Sequence, residues 1–490
     1  MAEERLDEIR QIRLKKRQSL IDDGREPYPA EARRSHTVSE ALGSFQKLIK
    51  DKTPVTVAGR LMSIRSHGSV VFMDIADETG LLQLQFAKDG VAEEIFKRIE
   101  SVDSGDFIQA AGVCIKTERG VETLLVDEFH LLSKSIRPLP GTWFGLKDSE
   151  KRYRQREMDL LINKQGRDVL VLRGKILSWL RIELSKEGYL EVETPILQQI
   201  AGGALARPFK THHHALDRDL FLRIAPELYL KRLLVAGFEK VFDMGRCFRN
   251  EGVDREHNPE FTMCELYWAY ADYEDLMDFT EQLITGLVRE MKEGEEVECG
   301  KETLSFAMPW KRIRFIDVMN EELGVDILEE KSVNKYVEIM KKKGLEIPTI
   351  RTYAKMIDEL YKEIVRPKII QPTMLFDYPT ELAPLAKQKT TDKRVAEKFQ
   401  VLIKGTEVIN AYTEQNDPVE QRNKFEGQQA DRKKGDDEVG DIDEDYIRAL
   451  EHGMPPAAGW GLGVDRLVAV LGDVHNVRDT IAFPLLRPEK

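Results

Sequence analysis

The stretch VFDMGRCFRNEGVDREHNPEFTMCELYWAYADY, Val241 to Tyr273, reads as strand, polar loop, strand. Val241 to Asn250 alternates with period two. Glu251 to Pro259 is charged and closes on a proline that cannot donate to a ladder, and Glu260 to Trp268 alternates again. The expected element is a hairpin with a long tip. On its second strand the period puts Phe261, Met263, Glu265 and Tyr267 on one face and Thr262, Cys264, Leu266 and Trp268 on the other. A flat ring, a carboxylate and a phenol therefore share a surface. Arg249 stands at the loop entrance, followed by Glu251, Arg255, Glu256 and His257. Arginines bind phosphates through planar bidentate hydrogen bonds, and Phe261 offers a face to a base. A solvated hairpin with scattered ion pairs is the plainer account of any one Arg-Glu pair, but not of the whole string.

The fragments FRNEG, HNPEF and ELYWAYADY resemble motif 2 of the class II aminoacyl-tRNA synthetases, and specifically of the lysyl-tRNA synthetase family; the resemblance covers nearly the whole chain. At 490 residues the chain is too long for one core. No apolar run approaches the roughly 18 residues of a membrane span, and the charged start MAEERLDEIRQIRLKKRQ lacks the apolar region of an export signal. Cys114, Cys247, Cys264 and Cys299 form no CxxC pair, so disulfides and zinc are not expected and a reducing cytoplasm is. A net charge of −12 opposes indiscriminate nucleic-acid binding but leaves room for a local basic or aromatic surface.

The expected fold is α+β and multidomain: an N-terminal OB-fold β-barrel, then a class II synthetase catalytic domain with an antiparallel sheet flanked by helices. The expected divisions are a helical extension over 1–50, the barrel over 51–135, a hinge over 136–160, and the catalytic domain over 161–490 with a helical insertion at about 293–370. In the extension, RLDEIRQIRLKKRQSLI reads as an exposed, weakly amphipathic helix. Its Arg13, Lys15, Lys16 and Arg17 either touch an RNA backbone or face solvent, the latter being favoured. From Val55 to Leu132 five short alternating strands, with VAEEIFKRI as a helix between the third and fourth, give the OB pattern. Such barrels stack bases on exposed aromatics. The segment resembles the family's anticodon-binding domain, which implies that Phe72 stacks on an anticodon base, Gln83 bonds a base edge and Arg65 holds phosphate or base. A core ring at Phe72 and a plain surface amide at Gln83 are the alternatives. The family's glutamate on the next turn falls at Val121, with Glu122 one place later, so that contact stays open.

The junction Ser133 to Leu161 is stiffened by Pro138 and Pro140. Val169 to Lys186 is helical, with Val169, Leu172, Ile176, Leu180 and Leu184 near one stripe. GYLEVETPIL, Gly188 to Leu197, reads as a strand ending at Pro195; it resembles motif 1, which implies a homodimer interface. His212 to His214 cannot converge on one ion from a strand, and a surface role is favoured. A helix starting near Pro226 puts Glu227 at its positive end. The insertion offers no assignable chemistry. FQVLIKGTEVINAYTEQNDP reads as a hairpin turning at Lys404-Gly405, and Gln421 to Asp445 as loop and helix around the acidic GDDE. In AAGWGLGVDRLVAVLGD the spacing GxGxGxDR is not the GxGxxG of dinucleotide binders. It resembles motif 3, whose arginine packs on adenine.

The resemblance implies ATP-dependent joining of L-lysine to tRNA(Lys) through a lysyl-adenylate. No proton need be removed in the first step, so catalysis is alignment and charge stabilisation, with Arg249 and Arg466 central. For lysine it implies Glu265, Tyr267 and Glu414 at the ε-ammonium, Glu227 and the Gly203 backbone at the α-amino group, and Asn410 with Arg249 at the carboxylate. For ATP it implies Arg249, Glu251, His257, Asn258, Phe261, Glu407 and Arg466. Glu256 stands where bacterial members often have arginine. Magnesium would be held at Gln400 and Glu407, where the family has acids at both, so Gln400 implies weaker binding. Strict alternation puts Glu407 opposite Asn410, and sharing one site then needs a bulge or a shared rim. A buried ammonium requires carboxylates, which opposes an aspartate-specific relative. A relative that lysylates an elongation factor typically lacks the barrel. A non-catalytic RNA-binding paralogue is opposed by Arg249, Phe261 and Arg466.

Overall fold

The computed structural model describes residues 2–68, 70–87, 93–139, 148–432 and 441–489. Val91 and Ala92 of the expected VAEEIFKRI helix, residues 140–147 of the junction with Pro140, and the GDDE run lie outside the described residues. The chain divides into two compact units, Met1–Gly145 and Leu146–Lys490.

In the first unit five strands, β1 (Val55–His67), β2 (Val70–Ala76), β3 (Leu81–Ala87), β4 (Phe107–Lys116) and β5 (Glu122–Ser133), close a barrel in the order β1-β2-β3-β5-β4. The helix Glu93–Ile99 joins β3 to β4. Alternation sends Val55, Val57, Met73, Ile75, Leu82, Leu84 and Phe86 into the barrel. Val38, Ala41, Phe45 and Leu48, from two short helices before β1, complete that core, so this part of the extension is built into the barrel. The helix Ala2–Asp22 is mostly exposed, but two of its four candidate RNA-binding cations are engaged within the unit. Arg13 is buried and donates to the carbonyls of Ser104, Ser135 and Arg137, at 3.0, 3.2 and 3.1 Å, and Lys16 pairs with Asp103 at 2.8 Å.

The second unit is organised on an eight-stranded sheet. Its strands are β6 (Leu190–Glu191), β7 (Lys240–Phe248), β8 (Glu260–Ala269), β9 (Lys311–Arg314), β10 (Thr373–Pro379), β11 (Val395–Ile403), β12 (Thr406–Thr413) and β13 (Ala457–Gly463), in the order β9-β10-β11-β12-β13-β8-β7-β6. Pairing is antiparallel except for β9 on β10 and β6 on β7 at the two edges. The helices Lys164–Lys186, Tyr273–Lys292 and Val464–Leu471 cover one face, where Cys264, Leu266, Trp460 and Leu462 pack against Leu180, Leu184, Ile284, Leu287 and Leu467. The opposite face carries the site.

Three local expectations change. The Gly188 to Leu197 strand is broken into Leu190–Glu191, on the large sheet, and Leu197–Gln198, in a separate three-stranded sheet. Pro195 cannot donate, and the Thr194 amide and hydroxyl are drawn to the Asp243 carboxylate at 2.9 and 2.7 Å instead of to a ladder. The 293–370 insertion is not purely helical. It contains the hairpin Glu296–Cys299 and Glu302–Ser305, the edge strand β9, and helices with their own core around Tyr336, Met340, Met356 and Leu360. Residues 149–154 and 156–162, largely within the expected hinge, are two short helices anchored by the buried Arg156, which pairs with Asp159 at 2.6 Å and donates to the Asp479 carbonyl at 2.9 Å.

Candidate active site

The β7–β8 hairpin forms as the alternation requires, with Asp243 opposite Glu265 and Cys247 opposite Phe261. Phe261, Met263, Glu265 and Tyr267 face a cavity of about 450 Å³. Its floor is a strand without side chains: on β13, Gly459, Gly461 and Gly463 point into the cavity while Trp460 and Leu462 turn to the core. Gly461 lies between Glu265 and Asn410, and Gly459 between Tyr267 and Tyr412. A Cβ at Gly459 would stand 2.1 Å from Glu414 Oε1 and 2.4 Å from Tyr267 Cε1, so this position admits no side chain. The β11–β12 hairpin turns at Lys404 and Gly405, both left-handed, the form that suits a two-residue turn. Between Val401 and Leu402 its register shifts, so that Gln400 pairs with Asn410 and Leu402 with Glu407. This bulge puts Glu407 and Asn410 on the same wall.

Of the residues singled out in the sequence, Gly203, Glu227, Arg249, Glu251, His257, Asn258, Phe261, Glu265, Tyr267, Gln400, Glu407, Asn410 and Arg466 line this cavity. Glu414 does not: it is fully buried, with Oε1 in the space beside Gly459 that a Cβ would take and Oε2 2.5 Å from Lys231 Nζ. Lys231, which the sequence reading passed over, also lies 2.6 Å from Glu227, one helical turn upstream on Glu227–Val235. Tyr412 donates its hydroxyl to Glu227 at 2.8 Å. Asp243, beside Glu265, is matched by Arg223 at 2.8 Å. Glu265 is the exception. It is buried, its hydrogen bond is a long one from Tyr267 at 3.5 Å, and no cation among the described residues pairs with it. Burial raises its pKa well above the usual carboxylate range, and Glu227 adds to the rise against the pull of Arg249.

The other end of the cavity is cationic and aromatic. The Arg249 guanidinium lies 5.1 Å from the Phe261 ring centre, and its Nε is buried without a partner, as is Asn410 Oδ1. Arg466 donates to the Glu407 carbonyl at 2.8 Å and lies 3.1 Å from His257 Nε2, whose other ring nitrogen is 2.9 Å from Asp254. Asp465, beside it, accepts from the Thr262 amide at 2.8 Å and so ties the start of the last helix to β8. Glu256 pairs with Arg366 at 2.7 Å, which restores a cation near the place where the loop itself carries an acid. Gln400 is held by Tyr361 and Tyr378, whose hydroxyls donate to its Oε1 at 3.0 and 2.7 Å. That oxygen is the atom with which it would ligate magnesium, so it is already engaged as an acceptor. Tyr361 and Arg366 come from the insertion, which therefore does supply chemistry to the site. Lys398, on the cavity wall 4.9 Å from the Tyr378 ring centre, was also missed. The Glu227–Lys231 spacing was a readable signal; nothing in the sequence announced the others.

In the first unit, Arg65, Phe72 and Gln83 stand outside the barrel core, Phe72 half-buried opposite Arg65. Arg65 pairs with Asp74 at 2.8 Å, and Gln83 accepts from the Thr123 hydroxyl at 2.9 Å. Glu122 lies 3.8 Å from Lys116. His212 to His214 are exposed, His212 pairing with Asp219 at 2.9 Å, and among the described residues no cluster of three or more His, Cys, Asp or Glu would hold a metal by itself.

Residues 148–487 match the family model described as tRNA synthetases class II (D, K and N), and residues 55–139 match an OB-fold nucleic acid binding domain. The chain is similar to lysine–tRNA ligases along its full length. It is 45% identical to that of Pelotomaculum thermopropionicum, covering 100% of this chain and 96% of the relative. It is 45% identical to that of Carboxydothermus hydrogenoformans, covering 100% of both. The figure for Clostridium tetani is 46%, over 98% of this chain and 97% of the relative.

The environment of Glu265 makes a prediction that needs no ligand. Unfolded glutamates titrate near about 4.3, so a raised pKa means that the folded chain binds this proton more tightly than the unfolded one. The destabilisation by ionised Glu265 is then complete above its raised pKa and vanishes as pH falls toward the ordinary value. Glu265→Gln should raise the thermal unfolding midpoint at alkaline pH, by the equivalent of about 1–2 kcal/mol, with the gap from wild type closing on acidification. A gap that is absent at alkaline pH, or unaffected by acid, contradicts this reading of the pocket.

Proposed function

This chain belongs to the class II tRNA synthetases of the aspartate, lysine and asparagine group, and we propose that it joins L-lysine to tRNA(Lys) at the expense of ATP, through a lysyl-adenylate. The observation that carries the choice of amino acid is Glu265: a buried carboxylate with no cation of its own, beside the Tyr267 hydroxyl, at the end of the cavity away from the arginine–aromatic face. An ammonium on the substrate side chain meets that need; the carboxylate of aspartate would meet repulsion.

In the first step the lysine carboxylate attacks the α-phosphorus of ATP, a P–O bond forms, and pyrophosphate leaves with the electrons of the bond that breaks. Arg249 holds the α-phosphate and the lysine carboxylate together, aided by Asn410, and Phe261 and Arg466 clamp the adenine. Glu251 and Asn258 support the base edge, and His257 reaches toward the outer phosphate. Glu227 and the Gly203 backbone receive the α-amino group. In the second step the terminal ribose hydroxyl of the tRNA attacks the activated carbonyl, the bond from that carbonyl to the phosphate breaks, and AMP departs with the hydroxyl proton taken up by its phosphate. The residues fit a magnesium ion held by one protein carboxylate, Glu407, together with the oxygens of ATP, since Gln400 Oε1 is taken by two tyrosines. Bound there, magnesium would neutralise phosphate charge.

On the barrel, Phe72, Arg65 and Gln83 form the face that we assign to the anticodon. Dimerisation through Gly188 to Leu197 is supported by Leu190, Ile196 and Leu197, each about half exposed at 48%, 45% and 49%. We place the protein in the cytoplasm, where its four buried free thiols stay reduced.

Purified protein should exchange pyrophosphate into ATP with lysine and not with aspartate or asparagine; exchange driven by either of the latter, or none with lysine, overturns the reading. Phe72→Ala should raise the KM for tRNA about 10–100-fold through lost stacking while leaving lysine-dependent exchange in place. A tRNA KM that does not move removes Phe72 from the anticodon face.

A further inference from the structure

The loop between β7 and β8 carries an acid, Glu256, beside His257, the residue that we assign to the outer phosphate of ATP; both line the cavity. Glu251, Glu407 and Asp465 line it too, but each has a separate role. In the reading above Glu251 supports the base edge and Glu407 is the magnesium carboxylate, while Asp465 pairs with Arg173 and accepts from the Thr262 amide. The cavity cations are also engaged elsewhere. Arg249 lies against Phe261, Arg466 is bonded to the Glu407 carbonyl, and Lys398 stands over the Tyr378 ring, with Glu407 and Asp358 as the acids that act on it. Among the described residues the cation that pairs with Glu256 is Arg366, at 2.7 Å.

Arg366 comes from the insertion, directly after the helical turn Tyr361–Val365, with Pro367 behind it to restrict the backbone. Its Nε donates to the Gly405 carbonyl at 2.9 Å and its Nη2 to Glu256 Oε2 at 2.7 Å, and its side chain is only 15% exposed. The turn that it grips is itself fastened to the insertion. The amides of Lys404 and Gly405 donate to the carbonyls of Ile370 and Ile369 at 2.8 and 2.7 Å, and a Cβ at Gly405 would lie 3.2 Å from the Arg366 carbonyl oxygen. Burial opposes the charge on Arg366, and Glu256, with a smaller contribution from Glu407, more than offsets that. The guanidinium is thus a fixed charge on a rigid mount, unlike the exposed, mobile ion pairs that contribute little.

An unpaired carboxylate beside a triphosphate repels it across a cavity that water screens poorly, and the repulsion grows with each phosphate added. We propose that Arg366 is a positioning residue for ATP: it cancels the charge of Glu256 and holds that side chain toward the insertion, so that a loop bearing an acid at this place still admits the outer phosphates. The insertion thereby supplies the cation that the loop lacks. Arg366 acts through Glu256, and neither on the adenine nor on lysine. AMP, with adenine, ribose and one phosphate, is served by Arg249, Phe261 and Arg466 and is indifferent to the pair. This inference rests on the ATP reading above and adds to it what makes this loop compatible with a triphosphate.

The test is lysine-dependent pyrophosphate exchange by the full chain, with the KM for ATP, the KM for lysine and the inhibition constant of AMP read in one assay. Arg366→Met leaves Glu256 unpaired and should raise the ATP KM about 10–100-fold, with the AMP constant and the lysine KM within about 3-fold of wild type. Glu256→Gln removes the acid and should leave the ATP KM no more than about 3-fold above wild type. The two substitutions together should recover at least about 5-fold of the Arg366→Met loss. A role confined to packing the loop would give neither result: Asn258 and Phe261 follow Glu256 closely, so a displaced loop weakens AMP as well, and a second substitution does not repair it. The proposal is overturned if Arg366→Met leaves the ATP KM unchanged, if it weakens AMP as much as ATP, or if the double variant is no better than Arg366→Met. Should Arg366→Met not fold, the exchanged pair, Glu256→Arg with Arg366→Glu, decides: an ATP KM within about 10-fold of wild type is expected, and a larger rise overturns the proposal. Absence of lysine-dependent exchange in the wild type would instead remove the functional reading, a distinct result.

Discussion

A carboxylate buried without a cation destabilises the folded chain whenever it is ionised, and Glu265 is such a group. The surrounding structure makes its isolation specific. Along the same row of the sheet, Asp243 is matched by Arg223; deeper in, Glu227 and Glu414 are matched by Lys231. Each neighbouring acid has a protein cation beside it, Glu227 and Glu414 sharing one, so a ligand bearing an ammonium gains most at Glu265. The stability forgone at Glu265 is in this sense the source of selectivity, a relation common at binding sites.

The sheet provides the rigidity that such a charge requires. Three helices pack one face through a continuous apolar core, so the strands cannot rotate to release Glu265 to water. The other face is opened by Gly459 of β13, which lets Tyr267 and Glu414 occupy space that a Cβ would fill. Across the same face, Arg249 against Phe261 and Arg466 against the Glu407 carbonyl form a flat, cationic end suited to a nucleotide. One surface thus has an acidic end and a basic end, which sets a zwitterion's direction before any chemistry begins.

Much of this was legible in the sequence because strand periodicity is a local property. The alternation of Glu260 to Trp268 sufficed to put Phe261, Glu265 and Tyr267 on one face, and the Lys404-Gly405 turn fixed its hairpin. The bulge that brings Glu407 to Asn410 was one of two ways in which these residues could share a site, and periodicity alone opposed it. What escaped was non-local. Tyr361 and Arg366 reach the site from an insertion whose own sequence is an ordinary charged helical pattern, and no spacing links Tyr361 to Gln400. Lys231 was within reach, four residues after Glu227, but an i, i+4 pair on a helix is usually a solvated one. Its burial, and the withdrawal of Glu414 from the cavity wall, follow from how the helix and β12 pack together. The broken strand near Pro195 shows the same limit: the proline was visible, but the Asp243 carboxylate that replaces the ladder partner was not.

The central claim, that a buried and otherwise unmatched carboxylate selects for a side-chain ammonium, is tested most directly by calorimetric titration of the wild-type protein with lysine and with norleucine, which keeps the carbon chain and lacks the terminal amine. The account predicts that norleucine binds about 100-fold or more weakly than lysine, because its methyl end leaves Glu265 buried and unpaired. Comparable affinities for the two ligands would contradict it.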